Sequence, residues 1–135
     1  MSLFRIFDIS GSALYAQTVR LNTTASNMAN VDSASSSTAN TYRARQPVFA
    51  TQLADADNEA AGVDVLGIVE SQAPLRREYR PDHPLADQNG YVNMPNVNQV
   101  EEMANMISAS RSYQSNVEVL NTSKQMLMRT LALGD

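Results

Sequence analysis

The chain has no cysteine. That excludes a disulfide framework, thiol chemistry and any zinc site built on cysteine. Positive charge is also short: ten basic residues against 14 acidic ones leave a net charge of −4, the wrong sign for gripping a phosphate backbone. No apolar run approaches the ~20 residues that would span a bilayer, so direct membrane insertion is not expected. MSLFRIFDIS carries Arg5, but Asp8 and Ser10 interrupt its apolar stretch, which makes it a poor secretory signal. A cleavable leader is therefore not expected. The sequence contains no Gly-rich phosphate loop, GxSxG or HExxH. Catalysis, a cofactor and a metal are not expected either.

The charge that is present sits in the middle. Residues 1–31 hold three charged side chains and residues 97–135 hold seven, whereas residues 32–96 hold fourteen. Charge-poor ends around a charged centre reverse the usual plan of a core with solvated tails.

Both ends show a helical stripe. Positions 4, 7, 11, 14, 18, 21, 25 and 28 read Phe4, Phe7, Gly11, Leu14, Thr18, Leu21, Ala25 and Met28, apolar at 3–4 spacing apart from Gly11 and Thr18. The C-terminal segment repeats the pattern through Met103, Met106, Ser110, Tyr113, Val117, Leu120, Lys124, Leu127 and Leu131. Asn98 followed by Glu101, with Pro95 upstream, resembles a helix start, and Gly134 a helix end. Neither helix is stable alone, because isolated helices depend on packing an apolar face. The expected fold is mainly α. Residues 1–31 and 97–135 form long core helices that pair as an antiparallel coiled coil, and residues 32–96 form a linker and a small β-rich segment facing outward. The expected intrachain stripe is Phe7, Leu14, Leu21, Met28, Met103, Met106, Tyr113, Val117, Leu120 and Leu127.

The other faces of these helices are unusual. In SASRSYQSNVEVLN only Arg111 and Glu118 are charged, whereas a water-facing helix normally carries Lys, Glu and Arg. The N-terminal helix offers Ser12, Gln17, Asn22, Thr23, Ser26, Asn27 and Asn30 away from its stripe. Amides and hydroxyls cost less to desolvate than charges. This face is therefore expected to be enclosed by neighbouring subunits, with Asn22, Asn27, Asn30, Ser112, Asn116 and Asn121 as interface residues.

Between the helices, Ser33 to Thr41 reads as a flexible Ser/Thr/Ala/Asn linker. β-like pieces follow at Val48–Leu53 and Val63–Glu70, and Asn89–Gly90 before Tyr91 signals a tight turn. Asp82, His83 and Asp87 invite a metal-site reading, but His83 is the single histidine and prolines flank the pair. A hydrogen-bonded turn is the simpler expectation. Arg76, Arg77 and Arg80 alternate with Glu78 and Asp82, which suits a solvated or partner-facing strand. Glu101 and Glu102, adjacent on a helix, are expected to stabilise its positive N-terminus.

ISGSALYAQTVRLNTTASNMANVDS, with an SG near the start and Asn27-Met28-Ala29-Asn30 closing the first helix, resembles the N-terminal signature of bacterial flagellar rod and hook proteins. GYVNMPNVNQVEEMANMISASRSYQSNVEVLNTSKQMLMRTLALG, preceded by YRPDHPLAD, is similar to the matching C-terminal signature of the proximal rod members. One departure is SASSSTANT, which stands where a Gly/Pro-containing linker is usual. The resemblance implies a structural subunit without catalytic site or cofactor. It implies type III export without a cleaved signal peptide, and a helical rod crossing the periplasm as a drive shaft. The implied partners are other rod proteins, copies of the chain, and membrane-ring and export-apparatus components at the rod base. Two other readings fit parts of the sequence: a coiled-coil adaptor or export chaperone, and a small metal-dependent enzyme built on Asp82, His83 and Asp87.

Overall fold

The 3–4 spacing at both ends produces two helices in the computed structural model, which describes residues 3–54 and 59–132. Helix α1 spans Leu3–Ala29 and α2 spans Gln99–Ala132, 34 residues or about 50 Å. Asn98 caps α2: its Oδ1 accepts the N–H groups of Val100 at 3.1 Å and Glu101 at 3.3 Å. Gly134, expected to end this helix, lies outside the described residues.

Among the described residues, four strands lie between the helices: β1 (Arg45–Ala54), β2 (Glu59–Glu70), β3 (Arg76–Tyr79) and β4 (Tyr91–Met94). They form two separate antiparallel ribbons, β1–β2 and β3–β4. Register shifts in the first ribbon, between Val48 and Phe49 and between Gln52 and Leu53, leave Leu66 and Ala61 unpaired on β2 as bulges.

The long ribbon lies along α1, and two contacts fix it there. At one end Ser12 Oγ accepts the Val63 N–H at 3.0 Å, and a Cβ on the buried Gly62 would stand 2.7 Å from that hydroxyl. A side chain at 62 would push the Ser12 hydroxyl out of this contact. At the other end Asn27 bonds the backbone of Arg45. From Ser12 to Asn27 the helix rises about 22 Å. From Gln52, the partner of Gly62, back to Arg45 the strand covers about 23 Å. The two paths match, so the ribbon runs alongside the helix.

The Ser-rich stretch is not the free linker its composition suggests. Ser35 pairs with Asn93 through two backbone hydrogen bonds of 2.9 and 3.0 Å, making an isolated bridge to β4. Ser35 Oγ and Ser37 Oγ accept the N–H groups of Ser37 and Ala39, and the buried Thr41 hydroxyl donates to the Ser37 carbonyl. Hydroxyls that bond their own backbone hold a local fold without a hydrophobic run.

The β3–β4 turn also closes on itself. Gly90 has φ +79, and a Cβ there would stand 2.8 Å from the Tyr79 ring. Asp87 Oδ1 accepts the N–H groups of Asn89 and Tyr91, while Asp87 Oδ2 takes Arg77 Nη2 at 2.6 Å. His83 Nδ1 accepts the Leu85 N–H at 3.1 Å. Asp87 and the Nδ1 of His83 are thus used in the turn's own hydrogen bonds. Of the arginines, Arg77 pairs with Asp87, Arg80 with Glu78, and Arg76 donates to the Pro95 and Val31 carbonyls.

Candidate assembly surface

Hydrogen bonds between α1 and α2 locate their seam. Asn27 Nδ2 donates to Glu102 Oε1 at 3.0 Å, Arg20 Nη2 donates to Asn105 Oδ1 at 3.1 Å, and Thr24 bonds Glu102. The seam therefore passes through 20, 24 and 27 on α1. Helical spacing carries the same line back through 17, 13, 10 and 6. On α2 the most enclosed positions recur every seven residues: Glu102, Ala109 and Ser123 are buried and Asn116 is half-buried.

This seam lies one residue N-terminal to the apolar stripe on each helix, and it is made of small and polar side chains. Met103, expected in the intrachain stripe, is 49% exposed, and Tyr113 is 37% exposed. Phe7, Leu14, Leu21, Met28, Met106, Val117, Leu120 and Leu127 are half-buried on the flanks. The physical reason is size. Ala109 and Ser123 let the helix axes approach closely, and the larger apolar side chains then project to the sides.

Asn27 is the other correction. Expected among subunit contacts, it is 1% exposed and uses all its hydrogen-bonding capacity within its own chain. Its Nδ2 donates to the Arg45 carbonyl and Glu102, and its Oδ1 accepts from the Tyr42 hydroxyl and the Arg45 N–H, all at 2.8–3.0 Å. Ser112 and Asn116 are half-buried, with Asn116 Nδ2 turned back onto the Ser112 carbonyl. Asn30 is half-buried and bonds the Ser26 carbonyl. Asn22 and Asn121 are exposed. Glu102 does more than complement the helix N-terminus. Burial raises its pKa above the usual 4.5, opposed by hydrogen bonds from Asn27 and Thr24. A polar residue on a helix reads as outward-facing, so periodicity missed both Asn27 and Glu102. The seven-residue recurrence of small residues was the available signal.

What faces outward is large and apolar. Val100 is 76% exposed, and Met103 and Ile107 continue its line on α2. Met128 and Leu131 do the same near the far end. Phe4 and Tyr15 stand out from α1, and Leu53, Leu66, Ile68 and Val69 from the long ribbon. Gly11 lies on the same open side of α1, where an added Cβ would meet nothing within 4 Å. The accessible surface totals 9109 Å². A compact monomer of 14.7 kDa would expose about 6,900 Å². Large apolar side chains exposed in lines along these elements mark surfaces that other chains cover.

Comparison with known proteins agrees. Residues 7–35 match the family described as flagella basal body rod protein, and residues 88–133 match the flagellar basal body rod FlgEFG protein C-terminal family. The chain is 55% identical to the flagellar basal-body rod protein FlgC of Salmonella typhimurium over 134 residues, 99% of each chain. Identity to the FlgC of Escherichia coli O157:H7 is also 55%, over 99% of each chain. For the FlgC of Buchnera aphidicola from Acyrthosiphon pisum it is 42% over 137 residues, 100% of each. With small polar seams inside, large apolar faces outside and full-length similarity of this order, the chain belongs to the FlgC family of flagellar basal-body rod proteins and is a structural subunit of that rod.

Proposed function

We propose that the chain polymerises as part of the proximal rod, the periplasm-crossing shaft that carries torque from motor to hook and filament. The observation that carries this reading is the surface excess of roughly 2,000 Å² over a compact monomer of equal mass, rich in large apolar side chains on both helices and the long ribbon. In this reading the helices pair as an antiparallel coiled coil. Residues 1–31 and 97–135 form the packed wall of the tube, and residues 32–96 face outward. Heterologous contacts between unlike faces generate a helical array. Asn22 and Asn121, together with the Val100–Met103–Ile107 line, meet neighbouring subunits.

The partners are further copies, other rod proteins, and membrane-ring and export-apparatus components at the base, with no nucleic acid. The chain acts mechanically and catalyses nothing. It leaves the cell without a cleaved signal peptide, and the absence of cysteine suits a chain that travels unfolded. The test is mass spectrometry of purified hook–basal bodies, paired with swimming of a deletion strain. Presence of the chain with its own N-terminus, and loss of motility on deletion, is the expected result. Its confinement to the cytosol of cells with intact flagella would overturn the reading.

A further inference from the structure

A seam of small residues holds two helices close but says little about how far one is slid along the other. Moving α2 by seven residues exchanges Glu102, Ala109, Asn116 and Ser123 for one another, and among them only Glu102 brings a charge into the seam. The apolar flanks repeat at the same interval through Met106, Leu120 and Leu127. Gln17, an amide on the α1 line, has its Oε1 buried without a partner, so it favours no one position of α2. Packing alone therefore leaves the register weakly determined.

We propose that Asn27 and Glu102 form a register lock, which fixes the position of α2 along α1 and ties both to the start of the long ribbon. The geometry suits asparagine alone. Its carboxamide bonds both the N–H and the C=O of Arg45, as a neighbouring strand would, and still has one N–H for Glu102 and one lone pair for the Tyr42 hydroxyl. Aspartate cannot donate, and glutamine would place the same atoms one carbon too far. Glu102 receives two donors from α1, Asn27 and Thr24, which no other seam position on α2 could accept as a carboxylate does. A single polar pair in an otherwise undiscriminating helix seam selects one register because every other register leaves it buried and unsatisfied. Through Arg45 the same lock sets which turn of α1 the ribbon starts from, and so where the outward apolar lines of all three elements stand relative to one another. The lock acts within a single chain, whatever that chain assembles with.

The chain's lack of cysteine permits a clean test. In the purified full-length chain, Arg20→Cys with Asn105→Cys reports the native register. Arg20→Cys with Ser112→Cys reports α2 displaced by seven residues, about 10 Å. Replacing Arg20 also removes its contact with Asn105 across the seam. With a short bis-maleimide, the parent chain and Glu102→Gln should link the native pair and not the displaced one. Adding Asn27→Ala and Glu102→Ala together should bring the two yields within about threefold of each other, from a starting bias of roughly tenfold or more. A second arm holds if that variant folds poorly. Asn27→Asp should be worse than Asn27→Ala, since it sets two carboxylates together, and Glu102→Gln should rescue it by offering a donor. Exclusive linking of the native pair in every variant, or no rescue of Asn27→Asp by Glu102→Gln, would overturn the lock.

Discussion

The β3–β4 region and the α1–α2 seam bury their residues on opposite plans. Around β4 the buried side chains are those of an ordinary core: Val92 and Met94 are fully enclosed, with Pro95, Val97 and Ala44 beside them. Asn96 ties this region together, accepting the Ala44 N–H at 2.7 Å and donating to the carbonyls of Ser71 and Ala73. Along the seam the enclosed residues are alanine, serine, threonine, asparagine and glutamate, while methionine, valine and isoleucine of α2 stand in the open. The first region buries an apolar core within one chain. The helices bury what must approach closely and leave what must be covered, which is sensible only if covering is another chain's task.

Four perturbations sharpen that contrast. Met94→Ala should have the largest effect on folding, a loss of about 2–5 kcal/mol from the cavity it leaves, read by urea unfolding of the purified chain. Ala109→Leu adds volume where the seam has none to spare and should cost about 1–3 kcal/mol. The same unfolding curve, with restored stability when a neighbouring large side chain is trimmed, would identify overpacking as the cause. If truncation hurt the seam more than enlargement, the comparison would fail.

Acidity should separate the two regions by sign. Burial holds the Glu102 pKa above 4.5, so the folded chain keeps this proton more tightly than the unfolded one. The junction is therefore most stable below 4.5 and weakens as pH rises through the interval up to the raised value. Arg20 on α1 and Glu101 on α2 bear on that carboxyl with opposite sign. Asp87 behaves in reverse. The Tyr91 N–H first, then the Asn89 N–H and Arg77, outweigh its desolvation and hold it below 3.8. Its contribution is full above 3.8 and is lost as pH falls through the lowered value. Amide exchange near Asn27 and near Asn89 across the acidic range should move in opposite directions. The smallest effect on folding is expected from Ile107→Asp, within about 0.5 kcal/mol because the side chain is exposed. That variant should nevertheless be absent from purified hook–basal bodies. A destabilised monomer would show that Ile107 packs within its own chain.

The legible parts of the sequence were those where local chemistry decides. Asn98 caps α2 because an amide oxygen satisfies the first free N–H groups wherever the helix goes. Asn89–Gly90 turns because glycine accepts positive φ at no steric cost. Helical periodicity likewise marked both long helices. It misplaced the seam because it follows large apolar residues and assumes they are buried by their own chain. On α2, Met103 and Leu131 fulfil the periodicity but not the assumption. The Ser-rich stretch and the Asn27 junction escaped for a related reason. Composition counts polar residues as solvated, but these ones bond the backbone of Ser37, Ala39 and Arg45, partners fixed only by the fold.

The surplus surface also has a thermal meaning. Covering roughly 2,000 Å² in the usual polar and apolar proportions removes about 0.3 kcal/mol/K of heat capacity per subunit. A negative heat-capacity change of that size makes association strengthen on warming from the cold. A rod built from such subunits would be held together partly by the temperature of its surroundings, and chilling would loosen it.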